Sequence, residues 1–287
     1  MCRTPDLYGL QQAVLAKNDD SARELRAQLA ARGTAVINLL SSPGSGKTAL
    51  LEAELALAHR RGVPVAALTA DLATENDAQR LARSGAPVRQ VLTGGLCHLE
   101  AVMLRGYLSD WLPTETRLLF VENVGNLVCP ASYDLGETLR VALAAVTEGE
   151  DKPLKYPTAF GLANLVLVTK ADLAGAVEFD EAAFLGNVAR VNPGVEVVFT
   201  SARTGQGVGA LLERALGVLE GAAVHRPVMS YLPPAVPPAA TTSPAAGHAH
   251  PHDHPHLPDH PHPHAESPGQ PHAGPHGRPQ QPVGEPR

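Results

Sequence analysis

Cysteine is scarce in this chain. Cys2, Cys97 and Cys129 are the three among 287 residues, too few for a disulfide framework at this length. Free thiols or metal ligands in a reducing compartment are expected instead. No apolar run reaches the ~18 residues of a membrane-spanning helix. Nor does any early stretch join a basic start, an apolar run and a cleavage site. The cytoplasm is the expected location, with no membrane partner. Positive charge is also in deficit, with 23 Lys and Arg against 29 Asp and Glu. A net charge of −6 argues against a general binder of nucleic acid or anionic membrane.

Core-forming residues run out near residue 226. YLPPAVPPAATTSPAAG reads as a linker, and His and Pro alternate beyond it. Proline at this density removes amide donors and excludes helix and sheet, so residues 226–287 are expected to be disordered. What remains divides into an N-terminal helical segment, residues 1–34, and one nucleotide-binding domain, residues 35–225. The first segment carries Leu10, Val14, Leu25 and Leu29 at near-helical spacing.

The stretch VINLLSSPGSGKTALL, starting at Val36, organises that domain. A buried strand, a tight Gly-rich turn and a helix-forming run follow one another, the context of a phosphate-binding loop. Gly44 and Gly46 let the backbone bend toward phosphate oxygens, and the amides from Ser45 to Ala49 aim partial positive charge at the anion. Lys47 is expected on the terminal phosphates and the Thr48 hydroxyl on Mg²⁺. The motif asks for Gly at its first position, where this chain has Ser41.

Further strands are expected at 63–70, 87–92, 117–121, 162–169 and 195–200, alternating with helices. The rhythm predicts an α/β fold: a P-loop NTPase with a doubly wound, mostly parallel sheet and helices on both faces. Asp71 falls at the end of the first of these strands, where such sheets present their chemistry. It is a candidate for holding Mg²⁺ or orienting the attacking water, with an N-cap as the plain alternative. Glu122 closes another strand and Gly125 follows three places on, the arrangement of a γ-phosphate sensor. Thr169-Lys170-Ala171-Asp172 ends the next expected strand. Asp172 can accept from both N1–H and the 2-amino group of guanine, a pattern adenine lacks. The Lys170 stem would cover the base and Ser201-Ala202 would close the pocket, so GTP is the expected nucleotide. Thr169 replaces the Asn usual in this signature.

Cys97 and His98 are adjacent, and Cys129 lies seven residues past Glu122. Placed at a helix start, the Cys97 thiol would have its pKa lowered. Two thiolates and an imidazole suit Ni²⁺ or Zn²⁺. Buried structural cysteines with a capping histidine are the alternative.

Taken together, SSPGSGKTALLE, DLATENDAQR, GGLCHLEA and VENVGNLVCPA resemble the hydrogenase nickel-incorporation GTPases, the HypB family, over about residues 5–220. The resemblance implies a Mg²⁺-dependent GTPase that forms a homodimer when GTP is bound. It also implies a metal site at Cys97, His98 and Cys129, and Ser at the loop's first position. The implied partners are a HypA-like nickel chaperone and the large subunit of NiFe hydrogenase. The family's N-terminal Cys-rich nickel motif does not carry over, because Cys2 stands alone. The histidine run is C-terminal here. His248, His250, His252, His254, His256, His260, His262 and His264, with His272 and His276, would hold Ni²⁺ weakly and together, losing capacity below about pH 6. A urease-maturation GTPase is the nearest rival, although its metal motif reads Cys-Pro-His. A nickel store with a merely regulatory nucleotide site is another.

Overall fold

Aliphatic runs separated by helix-forming stretches give the alternation of an open α/β sheet. The computed structural model describes residues 7–71 and 76–231. In chain order these form α1 (Leu7–Ala31), β1 (Ala35–Ser41), α2 (Lys47–Arg60), β2 (Val65–Asp71), α3 (Asn76–Ala82) and β3 (Val88–Leu92). There follow α4 (Ala101–Ser109), β4 (Leu118–Glu122), β5 (Leu139–Ala145), α5 (Lys152–Lys155) and α6 (Pro157–Gly161). The chain then runs through β6 (Leu165–Thr169), α7 (Glu181–Val191), β7 (Glu196–Phe199) and α8 (Ala210–Leu219). Among the described residues no helix is long and apolar enough to cross a membrane. The histidines from His248 onward lie outside the described residues.

The sheet has seven strands in the order β3-β2-β4-β1-β5-β6-β7, and every pairing is parallel. One strand more is present than the sequence suggests. β5 lies between β1 and β6 with all but one of its residues buried. LRVALAA therefore lacks the polar alternation that marks a half-exposed strand.

Alternate side chains divide between two faces. Ile37, Leu39 and Phe120 meet Leu50, Leu51 and Leu55 of α2, with Leu211 and Leu212 of α8. On the opposite face Val36, Leu68 and Val121 pack with Leu25 and Leu29 of α1 and Leu104 of α4. Leu40, Ala142 and Val166 meet Phe160 of α6 and Phe184 of α7. Emptying a fully buried ring such as Phe160 would cost about 3–5 kcal/mol. α1 thus joins the core through its C-terminal half, whereas Val14 stays exposed.

The crossovers decide where the site falls. Both β2 and β4 lie to one side of β1, while β5, β6 and β7 lie to the other. The carboxyl ends of β1 and β4 are therefore neighbours, with the ends of β2 and β6 close by, and the loops leaving these ends border one crevice.

Candidate nucleotide and metal sites

The turn after β1 runs directly into α2. Gly46 is the N-cap of that helix at φ +88°, a conformation that disfavours any residue with a Cβ. Ser41 needs no such freedom. It is the buried last residue of β1, has no positive φ, and donates to the Ser42 carbonyl at 3.0 Å. A cavity of about 500 Å³ opens over this turn, lined by Gly44, Ser45, Gly46, Lys47, Thr48 and Ala49. Gly125 and Val124 close it from the β4 side, and Asp77 and Arg80 of α3 from above. Gly125 passes so close to the turn that an added Cβ would lie 3.3 Å from the Pro43 backbone.

Lys47 and Glu122 meet at the floor. Lys47 Nζ donates to Glu122 Oε1 at 2.9 Å and Thr48 Oγ1 donates to the same oxygen at 2.6 Å. Both partners of the ion pair are buried, and among the described residues Glu122 Oε2 has no hydrogen-bond partner. The two cationic and hydroxyl groups expected to serve phosphate and metal thus share one carboxylate oxygen. Mg²⁺ requires oxygen donors. The Thr48 hydroxyl and the Glu122 carboxylate, 2.6 Å apart at Oε1, meet that requirement side by side, so the residues present fit the ion. Asp71 ends β2, and its side chain and residues 72–75 lie outside the described residues.

A second cavity of about 200 Å³ shares Gly46 and Ala49 with the first and is lined by Lys170, Asp172, Ser201 and Ala202. Ser201 Oγ donates to Asp172 Oδ1 at 2.6 Å, and Arg203 approaches the other carboxylate oxygen at 3.7 Å. Lys170 adopts φ +56°, and its ammonium donates to the Gly44 carbonyl at 2.7 Å. Its stem therefore runs along the phosphate loop at Gly46 as well as bordering the cavity. Thr169 is a tether between the two cavities: its buried hydroxyl donates to the Ser45 carbonyl.

The thiols lie further out on the same edge. Cys97 is in the bend before α4, whose first residue is Ala101 and whose N-cap is Glu100. It is four residues from the helix and gains nothing from the helix dipole, contrary to expectation. Its thiol pKa is instead raised, first by the Cys129 sulfur beside it and then by burial. Cys97 Sγ is 3.6 Å from His98 Nδ1, and the His98 ring stacks on Tyr133 at 3.9 Å. Among the described residues His98 Nε2 is buried without a hydrogen-bond partner. Cys97 thus touches both of its expected partners. Yet among the described residues no group of three or more His, Cys, Asp or Glu side chains is already gathered to hold a metal.

The segment carrying Cys129 is fastened at both ends, which the sequence does not disclose. Glu122 and Gly125 hold its start against the phosphate loop. At its far end Arg26 of α1 donates to both Asp134 carboxylate oxygens at 2.7 and 2.8 Å. Burial alone would push the Asp134 pKa up, but the hydrogen bonds and charge of Arg26, with the Gly136 amide, outweigh it and bring it down. Arg140 of β5 donates to the carbonyls of Ala131 and Tyr133 and to Glu137. Asn18 of α1 donates to the Asp134 carbonyl and accepts from the Ala101 amide, joining both cysteine loops to α1.

A Gly-rich turn over a parallel sheet, Lys and Thr at the start of the next helix, and an acidic end on the adjacent strand define a P-loop nucleotide-binding protein. Comparison narrows the class. Residues 35–199 match the family described as CobW/HypB/UreG, nucleotide-binding domain. A hydrogenase maturation factor HypB from Azotobacter vinelandii is 48% identical over 211 residues, covering 72% of this chain and 69% of that one. The crystal structure of HypB from Archaeoglobus fulgidus superposes with a TM-score of 0.66 at 34% identity, over 71% of this chain and all (100%) of that one. A HypB from Helicobacter pylori, solved in complex with nickel, gives 0.64 at 37% identity over 71% of this chain and 94% of that one. The chain belongs to the CobW/HypB/UreG family and, within it, to the HypB hydrogenase maturation factors.

Proposed function

We propose that this chain is a GTP-hydrolysing nickel metallochaperone for NiFe hydrogenase maturation. One observation carries the reading. Glu122, shared by Lys47 and Thr48, stands at the head of the segment that bears Cys129. Whatever draws Lys47 and Thr48 away from Glu122 also disturbs the cysteine loop.

In this account the loop amides and Lys47 bind the phosphates of GTP, while Asp172, Ser201 and Ala202 select guanine. Thr48, Glu122 and Asp71 hold Mg²⁺, which neutralises phosphate charge when bound. Asp71 orients the attacking water, and the Gly125 amide senses the γ-phosphate. Binding releases Glu122 from Lys47 and Thr48, and the strain passes along residues 123–129. Cys97, His98 and Cys129 would then hold Ni²⁺ or Zn²⁺ through two thiolates and an imidazole. Exposed Leu92, Leu96 and Val128 beside the cysteines support a GTP-dependent homodimer that covers this face.

The histidine tail, residues 226–287, would store nickel. A HypA-like nickel chaperone and the hydrogenase large subunit would be the partners, in the cytoplasm. Competition of GTP, ATP and XTP against a fluescent guanine nucleotide, with Mg²⁺ present, tests the nucleotide assignment. GTP should win by at least about 100-fold over ATP. Equal competition by ATP would remove the guanine site from the account.

A further inference from the structure

Thr69 has no part in the site as read from sequence, yet its position gives it one. β2 and β4 are parallel neighbours with Thr69 in register with Glu122. Register partners on adjacent parallel strands face the same side, with strands about 4.8 Å apart. That side is the one covered by α2, since Val65 and Ala67 of β2 and Leu118 and Phe120 of β4 all pack there. Thr69 and Glu122 are both fully buried (0% exposed). Among the described residues neither Thr69 Oγ1 nor Glu122 Oε2 has a hydrogen-bond partner.

Two such atoms on register partners are a departure from the rule that buried polar groups are paired. The spacing of the strands suits one intervening water, and buried waters characteristically join otherwise unpaired groups. A threonine hydroxyl both donates and accepts, so it can hold a water with a proton turned toward the carboxylate. Lys47 and Thr48 occupy only Oε1. When they turn to phosphate and metal, that oxygen loses both donors.

We propose that Thr69 is a positioning residue for Glu122, holding the carboxylate through one buried water between Thr69 Oγ1 and Glu122 Oε2. The hydroxyl keeps the Glu122 rotamer fixed after Lys47 and Thr48 have left it. Thr69 touches neither the nucleotide nor the reacting phosphate and acts through Glu122 alone. The proposal rests on the GTPase reading above.

The test uses the full chain with Thr69→Val, which keeps the shape, and Thr69→Ser, which keeps the hydroxyl. Steady-state GTP hydrolysis and the Mg²⁺ dependence of GDP binding are measured together. Thr69→Val should lower kcat about 5-fold with KM unchanged, and raise the Mg²⁺ midpoint for GDP binding several-fold. Thr69→Ser should restore both, because it keeps the hydroxyl that holds the water. Wild-type kcat and Mg²⁺ midpoint in Thr69→Val would overturn the proposal, as would a Ser variant as impaired as Val. A wild-type chain with no Mg²⁺-dependent guanine binding would instead defeat the GTPase reading, and this proposal with it.

Discussion

Lys47 Nζ lies 2.9 Å from Glu122 Oε1, joining residues 75 apart in sequence across the carboxyl ends of adjacent strands. The pair lets an acidic side chain stand in the phosphate loop in place of the anion. In the proposed function nucleotide would displace it, so that binding, hydrolysis and movement of the cysteine loop would share one contact.

Replacing Glu122 by Gln should separate these effects. With the charge gone, nucleotide affinity without Mg²⁺ should rise about 10-fold, because the competing anion is neutralised. Turnover should fall about 100-fold, since a charged group of the site is lost. Equilibrium binding with and without a chelator, and single-turnover hydrolysis, measure the two changes.

Asp172→Asn should exchange guanine for xanthine. The amide can donate to the 2-oxo group of xanthine but cannot accept two donors from guanine. GTP affinity should fall about 100-fold and XTP affinity should rise. Competition binding reads both, and Ser201→Ala, which removes the hydroxyl that orients Asp172, should give a smaller loss of the same kind.

Acid should act on two carboxylates with opposite signs. The lowered pKa of Asp134 gives stability that is present above the ordinary carboxylate range, about pH 4, and lost as pH falls through the lowered value. Glu54 is raised, by burial first, although the amides of Gly209 and Leu212 at the start of α8 donate to it. Its folded form takes up a proton before the unfolded chain does. Its penalty therefore eases as pH falls from the raised value toward about 4.3. Urea unfolding from pH 7 down to about pH 2.5 should show Asp134→Asn flattening the acid loss and Glu54→Gln removing the partial gain.

Arg26→Ala should loosen the cysteine segment without touching the nucleotide. The pair it forms with Asp134 is partly exposed, so the loss in stability should be about 1 kcal/mol. GDP affinity should be unchanged, while the thiolate-to-nickel absorption should weaken. Parallel nucleotide and nickel titrations of one sample check both.

The phosphate loop was legible because its signature is local: Gly44 through Thr48 follow a strand and open a helix. The residues expected to close on the base do line one cavity, but its geometry was less legible. Thr169 reads as a weakened guanine contact, but its hydroxyl holds Ser45, 124 residues away, and no local pattern encodes that. β5 escaped because a strand buried on both faces carries no alternation, leaving only a short apolar run. The proximity of Cys97 to His98 and Cys129 matches the expected grouping of these residue types. The state of the thiols was not legible: the thiol shift depends on the distance between Cys97 and Cys129, and the grip of Arg26, Asn18 and Arg140 on the intervening loop is wholly tertiary.

The central claim is that the γ-phosphate is felt at the cysteines. Nickel is titrated into the full chain bound to GDP and then to a non-hydrolysable GTP analogue. The thiolate-to-nickel absorption band, to which the tail imidazoles do not contribute, and the dimer fraction are followed together. The account predicts that both change with the γ-phosphate and that Cys129→Ala abolishes the change in the band. A band of equal strength and midpoint with either nucleotide, unaltered by Cys129→Ala, would contradict it.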